Sequence, residues 1–146
     1  MKARVAKHFG INTAIVHASA VFKRYLQDVI GAVKDNQMIA LCGGPGAGKT
    51  VVMNSVKKSF SGDQEPIFVQ VRNFNKENLT MSGVLNAIIT TISDENPRRD
   101  NEARSLQAIR LLGAKVVGEG RRVCVVIEEA HRVHYNVFRS LKELRE

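Results

Sequence analysis

The residues from Gly43 to Thr50 read GGPGAGKT and satisfy the spacing G-x-x-x-x-G-K-[ST] through Gly43, Gly48, Lys49 and Thr50. Such a pattern suits the holding of a phosphate. Glycines let a short loop bend until successive backbone N–H groups converge on phosphate oxygens, and a helix starting where the loop ends adds the partial positive charge of its N-terminus. Lys49 brings a full charge with the reach for β- and γ-phosphates, and the Thr50 hydroxyl can ligate Mg²⁺. The candidate nucleotide-binding set is Gly43, Gly44, Pro45, Gly46, Ala47, Gly48, Lys49, Thr50 and Val51. The plain alternative is a Gly-rich strand-to-helix turn with no ligand. A match at every motif position, with an apolar run before it and a helical run after it, disfavours that alternative.

A second constellation, VCVVIEEAH, runs from Val123 to His131. An apolar strand that delivers acids at its carboxyl end is what a phosphate loop needs beside it. Glu128 takes the metal-side position, one methylene longer than the commoner aspartate, with Mg²⁺ reached through water. Glu129 takes the position that orients and deprotonates the attacking water. Glu128, Glu129 and Lys49 are thus the candidate catalytic residues, with Thr50 and Glu128 on the metal. The competing reading is that Glu128 and Glu129 only cap the following helix, where acids are favoured at the N-terminal end. His131 either senses the nucleotide or ends a turn.

These groups need a scaffold, and the apolar periodicity supplies one. Phe22, Tyr25, Leu26, Val29, Ile30 and Val33 recur at helical spacing. QMIALC (37–42) is expected as a buried strand feeding the glycines, followed by a helix from Thr50 to about Phe60. Gly62 and Pro66 punctuate a loop before a strand at 67–71, IFVQV. Met81, Val84, Leu85, Ile88, Ile89 and Ile92 form a helical stripe with Asn78 or Thr80 as N-cap. The polar, Pro-containing stretch 93–102 is expected as a loop, then a helix to about Val117, ended by Gly118 and Gly120. VCVVI (123–127) is the third strand, and Tyr135 to Leu144 a closing helix with Val137, Phe138, Leu141 and Leu144 on its apolar face. Strands alternating with helices imply an α/β fold with a parallel sheet flanked by helices. The expected division is a lead-in segment at 1–34 and a nucleotide-binding core at 35–146.

The chain has 146 residues, 44% of them apolar, enough for one domain with a core. Lys and Arg total 22 against 14 Asp and Glu, a net charge of +8 that favours a polyanionic partner, with a merely basic surface as the other reading. No Trp and 5% aromatic content argue against a base-stacking platform for single strands. Cys42 and Cys124, each in an apolar run, read as buried, reduced thiols without metal-ligand spacing. No run approaches membrane-spanning length, and the export-like start MKARVAKHFGINTAIVHASA is interrupted by Asn12 and Thr13. The expected setting is the cytoplasm, with no membrane partner.

GGPGAGKT after a strand, a second strand ending in VRNFN, a helix with MSGVLNAII, then VVIEEAHRV and FRSLKELRE together resemble AAA+ P-loop ATPases. Within these the likeness is to the DNA-transposition ATPases of the Mu B and TniB type and the related ExeA-type ATPases, over about Thr13 to Glu146. The resemblance implies an ATPase that binds ATP with Mg²⁺, assembles into a ring or filament on double-stranded DNA and directs a transposase to its target. By position it assigns Lys49 and Thr50 to phosphate and Mg²⁺, Glu128 to the metal-side acid and Glu129 to the catalytic acid. The alternative is an ExeA-like, nucleotide-gated assembly factor that touches no DNA. Such folds also carry a sensor strand, a further strand, a helical lid and an arginine finger after the ELRE helix. None of these lies within the 146 residues, so the expectation is a piece of a longer protein or a degenerate reading frame.

Two further DNA signals are weaker. RVAKHFGINTAIVHA has the spacing of a helix-turn-helix over 3–20, with Asn12, Thr13 and His17 near the groove, or else is a simple lead-in helix. Arg72, Lys76, Arg98 and Arg99 are candidate contacts to the phosphate backbone, whereas Arg121 and Arg122, just before a strand, read as solvated charge.

Overall fold

The computed structural model describes residues 20–60, 62, 65–72 and 79–145. The chain divides into two compact units, Met1–Gly62 and Asp63–Glu146. The lead-in segment before residue 20, with its helix-turn-helix reading, and Lys76 lie outside the described residues.

The first unit holds α1 (Ala20–Lys34) and α2 (Lys49–Ser59). The periodicity of α1 is real but its buried face is narrower than the stripe suggests. Phe22, Val29 and Ala32 are buried, while Tyr25 stays half exposed. Helix α2 buries Val52, Ser55 and Val56, and Ser59 donates to the Ser55 carbonyl at 2.8 Å in its last turn. Between the helices, residues 37–42 run without helical structure, as the sequence suggests, but pair with no strand among the described residues. The expected strand is therefore corrected to an unpaired segment. Apolar β-formers supply propensity, but a strand exists only when a neighbour accepts and donates its backbone hydrogen bonds. Met38 and Ile39 are about half exposed, and Cys42, expected to be buried, is exposed.

The second unit contains β1 (Ile67–Val71), α3 (Met81–Ile92), α4 (Asn101–Gly113), β2 (Val123–Ile127) and α5 (Tyr135–Arg145). Strands β1 and β2 form a parallel pair in the register Ile67↔Val123 through Val71↔Ile127. Alternation places Val69 and Val71 on the core side, where Val123, Val125 and Ile127 pack with them. Helix α3 follows the stripe closely. Val84, Leu85, Ile88, Ile89 and Ile92 are all buried, and Thr80 caps the N-terminus by accepting from Gly83 N–H. Burying each of these large aliphatic side chains contributes about 1.5–3 kcal/mol, so α3 is the spine of this core. Val137 of α5 and Ala108 and Leu111 of α4 close the cluster.

The expected helix to about Val117 ends its α-helical part at Gly113 and continues as a wider π turn, Ala114–Gly118. Gly120 then reverses the chain with φ 65, and Lys115 pairs with Glu119 at 2.8 Å across the turn. Arg104 explains how α3 and α4 lie together. Its guanidinium donates to the Ser82 hydroxyl, to the Arg98 carbonyl at 2.8 Å, to the Arg99 carbonyl at 3.0 Å and to Asn101 Oδ1 at 3.0 Å. One planar group thus spans the start of α3 and the end of the connecting loop, so 93–100 doubles back along α3 before α4 begins.

Candidate functional site

The loop from Gly43 to Thr50 is shaped by its own residue types. Ala47 N–H donates to the Gly44 carbonyl at 3.2 Å, closing a four-residue turn with Pro45 second and Gly46 third at φ 74. Pro presets the second position of a type II turn, and the positive φ at the third favours glycine. Gly48 follows at φ 87, ψ 14 as the N-cap of α2, again in left-handed territory. A Cβ on Gly43 would meet the Ala47 Cβ at 3.0 Å, so the loop closes tightly on itself there and a side chain would have to push Ala47 aside.

The electrostatics follow from this geometry. The first backbone bond of α2 is Val52 N–H to the Gly48 carbonyl at 3.0 Å, which leaves the N–H groups of the first turn over as donors. No acid lies in that turn to neutralise them. Lys49 Nζ donates to the Gly43 carbonyl at 2.6 Å and the Gly44 carbonyl at 2.8 Å. An ammonium has three donors, so the lysine is tethered to the loop by two and keeps one for a ligand. Thr50 is exposed beside it, and Val51 is half-buried behind it. A triphosphate fits these residues. The loop offers N–H groups, a helix N-terminus and a tethered cation, and the exposed Thr50 hydroxyl is of the kind that can ligate a phosphate-bound Mg²⁺.

The two acids lie in the second unit, at the carboxyl end of β2. Glu128 N–H donates to the Val71 carbonyl at 3.4 Å, extending the ladder by one residue, and its Oε1 accepts from Gln70 Nε2 at 2.7 Å. Glu129 then leaves the strand with φ 55, ψ 42. A left-handed conformation costs a non-glycine residue about 1–2 kcal/mol, and strain of this kind concentrates at functional sites. A 3₁₀ turn, Ala130–Arg132, follows, and His131 Nε2 lies 3.5 Å from Glu129 Oε2 with both side chains largely exposed. Leu79 and Val133 form a parallel bridge just beyond.

The capping alternative for the acids does not match this arrangement. Glu129 makes no side-chain cap bond to the 3₁₀ turn. Helix α5 starts only at Tyr135, and His134 serves it as cap, its Nδ1 accepting from Asn136 N–H at 3.3 Å. His131 sits within the 3₁₀ turn, next to Glu129.

The basic candidates separate. Arg72, Arg98 and Arg99 are exposed. Arg98 and Arg99 sit at the Ser82 end of α3, joined to it through Arg104, but Asp94, Glu95, Asp100 and Glu102 surround them in sequence. Arg110 answers Glu95 through two contacts of 2.6 and 2.7 Å. Those bonds, and then the Gln107 amide, hold the Glu95 carboxyl below its ordinary value. Arg121 donates to the Glu65 carbonyl at 3.4 Å, and the Arg122 carbonyl accepts from Ile67 N–H at 2.8 Å, which gives that pair a role at the start of the strands.

Sequence reasoning did not single out Gln70, Arg104 or Gln107. Gln107 is buried on α4, accepts from Arg98 N–H at 3.0 Å and donates to Glu95 Oε2 at 2.9 Å and the Asn96 carbonyl at 3.1 Å. Gln70 carried a readable signal, an amide inside an otherwise apolar strand. No helix is long and apolar enough to cross a membrane, and no cluster of metal-binding side chains occurs, among the described residues.

A family model described as an AAA domain matches residues 33–146, a span that takes in both the loop and the acids. Comparison with curated proteins and with solved structures gave no match.

Proposed function

The chain belongs to the AAA domain family of P-loop ATPases, and from that premise we propose that it is an ATPase whose ATP form binds double-stranded DNA without sequence preference and regulates target choice in transposition. The observation that carries the nucleotide half is the loop itself, with its Pro45–Gly46 turn, its left-handed Gly48 cap and its tethered Lys49. Family membership implies nucleotide use, typically with Mg²⁺.

In this reading the backbone N–H groups of Gly46 to Val51 and the Lys49 ammonium bind the phosphates, and Thr50 with Glu128 holds Mg²⁺. The metal, when bound, neutralises charge that develops on the phosphoryl oxygens. Glu129 orients the attacking water and accepts its proton, a role suited to a carboxylate left exposed at a strand end. Glu129→Gln should then leave ATP bound while stopping turnover, trapping the assembled form. A Glu129→Gln protein that turns over ATP normally while Glu128→Gln does not would reverse the two assignments.

The DNA half is supported by the net charge of +8 and by exposed Arg72, Arg98 and Arg99. Contacts to phosphates give affinity that is indifferent to sequence and falls steeply between about 50 and 200 mM salt. Subunits meeting in a ring or filament would align several weak contacts along one duplex, which makes binding ATP-dependent. Anisotropy of a labelled duplex, with and without ATP across that salt range, tests this directly. ATP-dependent self-association with no DNA binding would leave the ExeA-like assembly factor as the reading, and a transposase partner would fall with the DNA.

A further inference from the structure

Gln70 is the one polar residue of β1, and its place is set by strand pairing. In the observed register it lies opposite Val126, so alternation puts Gln70, Val126 and Glu128 on the face of the pair away from Val69 and Val71. Glu128 is anchored twice at this point, by its main-chain bond to the Val71 carbonyl and by the 2.7 Å bond from the Gln70 amide to Oε1.

The length of the acid gives that second bond a purpose. A glutamate has one more rotatable bond than an aspartate, so an acid standing at a strand end in this position samples more space and presents its oxygens less reproducibly. An amide donor on the neighbouring strand removes that freedom by fixing one carboxylate oxygen. It leaves Oε2, which has no hydrogen bond among the described residues, as the acceptor for an incoming ligand. Aspartate, a methylene shorter, would fall away from the amide.

We propose that Gln70 is a positioning residue for Glu128. Its side-chain amide takes up the extra reach of the glutamate and holds the carboxylate ready for the hydrated Mg²⁺ that accompanies ATP. This inference rests on the nucleotide-binding reading of the loop. It adds that the acid position works as a cross-strand pair, with Gln70 and Glu128 acting as one unit.

The test is the Mg²⁺ concentration that half-saturates binding of a fluorescent ATP analogue, a readout independent of turnover, measured for the wild type, Gln70→Leu, Gln70→Asn, Glu128→Asp and the Gln70→Leu/Glu128→Asp pair. Residues that hold a metal ligand in place typically change metal affinity by about tenfold or more when removed. A contact this exposed should give about threefold to tenfold. Gln70→Leu and Gln70→Asn should both raise the half-saturating Mg²⁺ by that factor while leaving Mg²⁺-free nucleotide affinity within about twofold. Added to Glu128→Asp, the same Gln70→Leu change should do nothing further, because the shorter acid has already lost the amide. The Asn variant keeps the strand polar and covers the case in which leucine disturbs folding. Lys49-dependent nucleotide binding whose Mg²⁺ requirement ignores Gln70, or an equal Gln70→Leu effect in both backgrounds, overturns the pairing alone. A wild type that binds no nucleotide overturns the pairing and the nucleotide reading together.

Discussion

Lys49→Met removes the charge of the loop lysine while keeping an unbranched side chain of similar length, and its effect can be sized in advance. The ammonium is held by the Gly43 and Gly44 carbonyls at 2.6 and 2.8 Å, leaving one N–H for a phosphate. A unit charge about 4 Å from a phosphate charge gains about 4 kcal/mol at the effective dielectric near a protein surface. Lys49 is only half-buried, so screening reduces the expected loss to about 3 kcal/mol. At about 1.4 kcal/mol per tenfold, that is a weakening of somewhat more than a hundredfold in ATP affinity. Titration calorimetry with ATP and then AMP separates a phosphate effect from general damage. The lysine reaches the β- and γ-phosphates, so AMP affinity should stay within about twofold of wild type. The two carbonyl bonds face water, so the free protein should lose under about 1 kcal/mol of stability. An ATP affinity within about fivefold of wild type, or an equal loss for AMP, would refute the reasoning.

Gly48→Ala forces a side chain into φ 87 and should cost about 1–2 kcal/mol in urea unfolding, with ATP affinity falling alongside; an unchanged midpoint would mean that the loop relaxes freely. Gln107→Leu deprives Arg98 N–H of its acceptor and Asn96 of its donor, so unfolding free energy should drop by about 2–3 kcal/mol, and a loss under about 0.5 kcal/mol would show that water replaces the amide. Glu95, held below its ordinary 4.5 chiefly by Arg110 and then Gln107, stabilises the fold above its unfolded value and loses that contribution as pH falls through its lower folded value. Glu95→Gln should therefore flatten the acid limb of stability below pH about 4.5, and an identical limb in the variant would place the acid sensitivity elsewhere.

Local chemistry made much of this readable. The α3 stripe from Val84 to Ile92 is buried as its spacing requires, Thr80 caps it, and β1 and β2 span the expected residues. Each depends on periods of 3.6 or 2 and on a cap within one turn, which a sequence displays directly. The Pro45–Gly46 turn and the Gly48 cap were legible for the same reason, since both act within the eight residues of GGPGAGKT. What stayed hidden depends on partners far along the chain. Residues 37–42 had strand propensity but no neighbour among the described residues. Gln70 meets Glu128 across 58 positions, and Arg104 reaches Ser82 across 22. The tyrosine of α1 fitted the apolar period yet remained half exposed, because periodicity names a face without saying how wide the contact is.

Glu129, at φ 55, gives the fold a preference of its own. A glycine there would relieve the backbone at once, and an asparagine in part, since both enter the left-handed region more cheaply than glutamate does. Selection for stability alone would therefore push this position away from an acid, while the proton-accepting role proposed for Glu129 would hold it there. The two pressures oppose each other at a single codon. In a reading frame drifting without function, glycine or asparagine at 129 would be tolerated or even favoured, whereas a lineage that keeps glutamate is retaining a residue that the fold by itself would discard.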